Sequence, residues 1–230
     1  MSNLWGYLKT FLRDLVSFFI IYMPGSTGRR IRYFYYRRRF KKCGKNVLID
    51  EGVVIENPEW MSIGNNTWIG SRCVLKAGPL DLGCRIVKRK EKRNFRWQEG
   101  ELVLSDNVEI APSCQIQAHG GIYIGSNCGI SSGAKLYSVM NLPTNPYDRR
   151  DVIFFSHWNT KSAYMVSPII FEENVGIGLN SVVLAGVHIG KNSFVAANSV
   201  VMGSFGENSF IKGNRAKRIK DRFKIKKEDE

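Results

Sequence analysis

The sequence predicts an all-β fold, a parallel β-helix wound as a three-sided prism, with amphipathic helices ahead of it. Three observations carry this reading. Aliphatic residues recur at every sixth position through most of residues 46–211. Gly, and then Asn or Asp, follow many of them. Residues 1–45 depart from that pattern into apolar steps of three and four.

The six-residue period is the strongest of the three. Ile63-Gly64-Asn65-Asn66-Thr67-Trp68 runs into Ile69-Gly70, and Ile124-Gly125-Ser126-Asn127-Cys128-Gly129 into Ile130 and then Leu136. Ile177-Gly178 leads to Val183, and Ile189-Gly190-Lys191-Asn192-Ser193-Phe194 leads to Val195 and Val201. Each unit supplies one short strand and one corner. The aliphatic residue points inward, and Gly, Asn or Ser serves the corner, where positive φ is needed. A coil of three such strands buries its inward row only against the coils beside it.

Two stretches lose the phase. Residues 78–101 are charged and aromatic, and residues 137–167 form a second excursion. Insertions of this length in a tight coil usually serve function. The chain therefore divides into a membrane-associated helical segment (1–45), a β-helix with two inserted loops (46–211) and a basic tail (212–230).

Charge follows the same division. Of the net +14, residues 1–45 carry +10, residues 212–230 carry +5 and the body between them −1. A nucleic-acid reader places its basic face on the folded body, so nucleic acid is not an expected partner. Basic ends beside an apolar segment suit an anionic membrane surface. Leu4, Leu8, Phe11, Leu12, Leu15, Phe18 and Phe19 line one helical face. Lys9, Arg13 and Asp14 interrupt the run, which leaves it short of the about 20 apolar residues of a spanning helix. No small-x-small cleavage site follows, so a secretory leader is not expected. Residues 29–42 (RRIRYFYYRRRFKK) mix aromatic and guanidinium groups, as interfacial helices do. Residues 4–42 are expected to lie on the cytoplasmic face of the inner (plasma) membrane, as a peripheral or monotopic anchor.

Cys43, Cys73, Cys84, Cys114 and Cys128 form no C-x-x-C pair and have no histidine at zinc spacing. They are expected to be small buried residues in a reducing compartment, and no metal site is expected.

From the repeats, and from residues 175–201 (VGIGLNSVVLAGVHIGKNSFVAANSVV) followed by 212–222 (KGNRAKRIKDR), the sequence resembles the hexapeptide-repeat acyltransferases, the sugar O-acetyltransferases in particular. The resemblance covers roughly residues 46–220. It implies a left-handed coil, a homotrimer, and acetyl-CoA as co-substrate along the cleft between neighbouring prisms. It implies that a loop such as 137–167 covers the active site.

Acyl transfer from a thioester needs a general base on the acceptor, and histidine suits neutral pH. His119, beside Gly120-Gly121, resembles the catalytic-histidine segment of serine acetyltransferases and is the expected base. The galactoside- and maltose-type enzymes carry their histidine after the coil that ends near Tyr137-Ser138, where this chain has Met140-Asn141-Leu142. His157, on the second insertion, is therefore the alternative base. His188 sits at a corner where the family tolerates many residues. The three histidines lie too far apart for the zinc set of a γ-type carbonic anhydrase. Glu109 or Asp148 would orient the base, and spacing does not select between them. Tyr137 and Asn141 are the expected acceptor contacts. By resemblance, Ala197 packs on the pantetheine arm, Met202 and Gly203 are next-coil contacts, and Lys217 and Lys220 pair with CoA phosphates. Arg215 stands where the family has Pro, and Gly176 where it often has Trp.

The expected activity is transfer of acetyl to a sugar hydroxyl on a lipid-linked or surface-polysaccharide precursor. An amino-sugar N-acetyltransferase is the nearest alternative. A non-catalytic membrane scaffold is the other.

Overall fold

A computed structural model describes residues 2–80, 85–88, 96–153 and 162–223. Two helices lead, α1 (Ser2–Tyr22) and α2 (Gly25–Arg37), and short strands follow. The described strands build three parallel faces, and six successive coils each give one strand to every face. Ile49, Ile69, Ile110, Ile130, Ile177, Val195 and Ile211 stack inward on the second face, all buried. This is the row the six-residue period predicts.

The period has one correction. Gly176 pairs with Phe194 and Val182 with Val200, a repeat of eighteen residues, as three hexapeptides require. In the earlier coils Val103 pairs with Tyr123 and Gln115 with Lys135, a repeat of twenty. The two extra residues fall at the corner between the third and first faces. There Ala118–Gly121 separate the strands Gln115–Gln117 and Ile122–Ile124, whereas only Ala185–Val187 separate Val182–Leu184 and His188–Ile189. Both insertions leave from this corner, after Ala77 and after Ser138.

The corner between the first and second faces is built from asparagine. Asn46, Asn66, Asn107, Asn127, Asn174, Asn192 and Asn208 all have φ between 52° and 59°. Asn pays least among the non-glycine residues for this conformation. Their side chains form ladders: Asn46 donates to Asn66, Asn66 to Asn107 and Asn107 to Asn127, at 3.0–3.1 Å.

The insertions fold together. Arg85–Lys88 of the first runs parallel to Ala163–Val166 of the second, which runs antiparallel to Val139–Asn141. Val139, Tyr164 and Val166, with Leu80 and Ile86, make a small apolar cluster of their own.

At the other end, α2 closes the prism. Tyr36 and Phe40 join the core beside Val47 and Ile49. Arg32, fully buried, donates from Nε to the Ile49 carbonyl (2.8 Å). Its Nη1 reaches the carbonyls of Ile20 (3.1 Å) and Met23 (2.7 Å), groups that the end of α1 leaves unbonded. Burial lowers its pKa, opposed by Glu51 and Asp50. Gly28 permits this junction, because a Cβ there would land on the Met23 carbonyl oxygen. Arg29 pairs with Asp50 at 2.6 Å, and Trp68 donates to the same carboxylate. So α2 is seated on the first coil. In contrast α1 keeps Trp5, Phe11, Leu12, Val16 and Phe19 more than half exposed. No described helix is long and apolar enough to cross a membrane.

The basic tail is a strand where it is described. Lys217–Asp221 pairs antiparallel with Ser209–Lys212 and extends the second face. Cys73, Cys114 and Cys128 are buried, and Cys43 is half-buried; Cys84 lies outside the described residues.

The ladder predicts a stability difference. Asn66→Ala leaves positive φ without a tolerant side chain and removes two ladder bonds, so it should cost about 1–3 kcal/mol. Asn66→Gly keeps the conformation and should cost less. Urea midpoints of the two variants check the ranking.

Candidate active site

The functional corner is the one with two extra residues. Continuing the coil register past Lys76–Gln117 and Gln117–Tyr137 stacks Ala77, Ala118 and Ser138 as the last inward row. Gly78, His119 and Val139 form the next row outward. Stacking brings the His119 Nδ1 to 2.9 Å from the Gly78 carbonyl oxygen. A carbonyl only accepts, so Nδ1 carries the proton and Nε2 of the neutral ring is the acceptor nitrogen. The ring is half-buried. Its own backbone carbonyl accepts from Gly100 N–H at 3.0 Å, so the two ends of the first insertion clasp this residue.

The following residues are fixed just as tightly. The Ser138 hydroxyl accepts from Gly120 N–H (2.8 Å) and donates to the Gln117 carbonyl (2.8 Å). Trp97 donates from its indole to the Gly120 carbonyl at 2.6 Å. A Cβ on Gly120 would strike the Ser138 carbonyl oxygen, so glycine is required. One step along the first face, Tyr123 accepts from Gln98 N–H (2.8 Å) and donates to Glu101 Oε2 (3.0 Å). Burial pushes the Tyr123 phenol up, which keeps it a donor.

The other sequence-derived positions divide. Neither Glu109 nor Asp148 orients His119. Glu109 is exposed on the second face, and Asp148 accepts from Arg150 N–H in a turn. The expected carboxylate is replaced by the Gly78 carbonyl. His188 is buried on the first face, with Nε2 2.8 Å from Glu172 Oε1. His157 lies outside the described residues. Tyr137 donates to Gln115 Oε1 at 2.6 Å, and Asn141 is exposed in the insertion sheet opposite Tyr164.

Met202 and Gly203 belong to the same corner as His119, some coils further on, and both are exposed. Ala197 is exposed at the next corner, between the second and third faces. Lys217 and Lys220 are exposed on the strand that extends the second face, with the Lys220 ammonium 5.9 Å from the Phe210 ring centre. A single prism therefore does not gather all the expected cofactor residues.

Residues 168–202 match the family described as the hexapeptide repeat of succinyl-transferase. Over 185 residues the chain is 27% identical to the dTDP-4-amino-4,6-dideoxy-D-glucose acyltransferase of Escherichia coli, covering 80% of this chain and 84% of that one. The chain is thus similar in sequence to acyltransferases built of hexapeptide repeats. Over 101 residues it is 30% identical to a 2,3,4,5-tetrahydropyridine-2,6-dicarboxylate N-acetyltransferase of Staphylococcus aureus, 44% of this chain and 34% of that protein. The fold is also that of AntD, an N-acyltransferase from Bacillus cereus solved with dTDP and 3-hydroxybutyryl-CoA. There the TM-score is 0.63 at 23% identity, over 83% of this chain and 87% of that one. The coil is accordingly a left-handed parallel β-helix.

Sequence reasoning singled out His119 and did not select Gly78, Trp97 or Ser138, which the structure bonds to this corner. Ser138 had a signal: it is the serine in an inward row that is alanine at 77, 118 and 185. Gly78 and Trp97 act through a backbone carbonyl and a contact across the fold, and neither leaves a periodic trace.

Ser138→Ala orphans the Gly120 N–H and should cost about 1–3 kcal/mol. As a positioning change it should also lower kcat more than it raises KM. Ser138→Thr, which keeps the hydroxyl, should recover most of the loss. Urea unfolding and steady-state kinetics on both variants check this.

Proposed function

We propose that the chain transfers an acetyl group from acetyl-CoA to a sugar hydroxyl on a lipid-linked or surface-polysaccharide precursor, at the cytoplasmic face of the plasma membrane. The observation that carries the reading is the His119 ring, fixed by the Gly78 carbonyl so that Nε2 is a base. Nε2 takes the proton as the acceptor oxygen attacks the thioester carbonyl. The tetrahedral intermediate then collapses, the C–S bond breaks, and the imidazolium returns the proton to the CoA thiolate. Burial pushes the Cys128 thiol up to about 11, and the contact with Cys114, with burial, raises Cys73, so neither supplies a ready thiolate; Cys114, lowered by that same contact, is fully buried in the core away from His119.

The division of the cofactor residues supports a trimer. Met202 and Gly203 lie on the His119 corner, whereas Ala197 and the lysines lie beyond it. A cleft between two prisms joins one corner of each, which an isolated chain does not do. Lys217 and Lys220 then meet the CoA phosphates, and Tyr137 and Asn141 face the acceptor.

The exposed apolar side chains of α1 support the membrane reading. They lie beside a segment with eleven cations and a single acid, suited to an anionic interface. A second acceptor is favoured by one observation: the E. coli relative is named for an amino sugar. An amine at the same position would use the same base.

Acetyl-CoA titrated by calorimetry should bind saturably, and the Lys217→Ala/Lys220→Ala variant should bind roughly tenfold or more weakly, as two lost charge-assisted contacts imply. Thiol release with matched hydroxy- and amino-sugar acceptors then separates the two chemistries. His119→Ala should lower kcat by roughly a hundred- to ten-thousand-fold with acetyl-CoA binding retained. No cofactor binding at millimolar concentration would leave the scaffold reading instead.

For the anchor, Phe11→Asp/Leu15→Asp should release the protein from phosphatidylglycerol-containing vesicles in a sedimentation assay. Unchanged sedimentation would remove α1 as the contact.

A further inference from the structure

We propose that a cationic cavity on the first face binds the diphosphate that carries the acceptor sugar; this rests on the acyltransferase reading above. The cavity, of about 370 Å³, is lined by Lys41, Lys42, Ser62, Arg96, Gln98 and Glu101. Among the described lining residues the one carboxylate is already engaged. Glu101 Oε1 is 2.9 Å from the Lys41 ammonium, and Oε2 accepts from Tyr123. Lys42 and Arg96 pair with no carboxylate of the described residues. Among the described lining residues, three cations against one anion leave two positive charges, the complement of a diphosphate diester. Arg96 offers a planar fork and Lys42 a point charge, the two usual ways of holding phosphate oxygens. The Ser62 hydroxyl and the Gln98 amide add neutral donors.

Position makes this an acceptor site and not a generic basic patch. Lys42 and Ser62 are register partners in the first and second coils. The segment 96–98 joins the cavity to the catalytic corner, because Trp97, between two cavity residues, is hydrogen-bonded to the Gly120 carbonyl beside His119. From Ser62 to the coil that follows His119 is two strand spacings, roughly 10 Å. A diphosphate held in the cavity thus leaves its hexose within reach of the His119 corner. The cavity also adjoins the end of α2, on the prism end that carries α1. A diphosphate entering from a lipid surface or from solution meets it equally well.

The test compares the full-length protein with Lys42→Gln/Arg96→Gln, both exposed positions whose change leaves the core intact. Inorganic pyrophosphate and dTDP are titrated by calorimetry at low salt, and acetyl-CoA is titrated into both proteins in parallel. The expected result is saturable binding of both diphosphates, weakened at least tenfold in the variant, with acetyl-CoA affinity unchanged and no competition between acetyl-CoA and dTDP. Diphosphate binding that is absent, or equal in both proteins, overturns the proposal. So does displacement of dTDP by acetyl-CoA, which makes the cavity part of the cofactor site. A third arm uses phosphatidylcholine vesicles with 20 mol% phosphatidylglycerol. Loss of vesicle binding in the variant without any dTDP binding reassigns the cavity to a lipid headgroup and also overturns it. Failure of acetyl-CoA to bind either protein counts against the acyltransferase reading alone, since the diphosphate titrations are read separately.

Discussion

Each coil of the prism has only the coils above and below it against which to bury its inward row, and the structure depends on that register. A strand that slips by one residue turns its aliphatic side chain outward. The rows Ile49 to Ile211 and Leu102, Ile122, Ile169 hold only if every coil returns to the same phase. Extra chain must therefore leave and rejoin between the same two strands. Here it does so at one corner, twice at length and twice as two extra residues, at 57–60 and at the turn that carries His119. Concentrating the irregular backbone on one edge also places His119 and the bonds that fix it there. The opposite demand falls on the asparagine corner, where a ladder of side-chain amides keeps the turns identical.

This explains why the fold was legible and much of the site was not. The aliphatic period, the turn asparagines and the loss of phase at 78–101 and 137–167 are local patterns, and each corresponds to a physical element. His119 stood out because a histidine beside two glycines is a local pattern too. The Gly78 carbonyl on its Nδ1 belongs to a residue one coil away, and no spacing rule selects it over Glu109 or Asp148. The pairing of Arg85–Lys88 with Ala163–Val166 joins two stretches that each look irregular alone. The seating of α2 depends on Arg32, whose guanidinium counts in the sequence as one more positive charge. In the fold it is a buried bracket for three backbone carbonyl groups.

The same logic separates the two helices. Both belong to the basic N-terminal segment, yet Arg32 and Tyr36 of α2, with Phe40 just after it, close the prism. An open prism end would expose the inward row of the first coil, so some cover is obligatory. Once α2 provides it, the described contacts of α1 lie at its C-terminal end, through Arg32, the Gly52 N–H to Ile21 carbonyl bond and the buried Ile20. The exposed apolar surface of α1 is thus surplus to folding. Surface of that size, kept where the fold does not use it, is the property of an element meant to meet something else. Because Arg32 bonds the end of α1 to the first coil and Gly28 packs on Met23, whatever α1 lies on would set the orientation of the whole prism. It also sets the height of the His119 corner above that surface, at a fixed number of coils from the capped end. A coil count, and not a flexible linker, would then determine how far an acceptor must extend to be acylated.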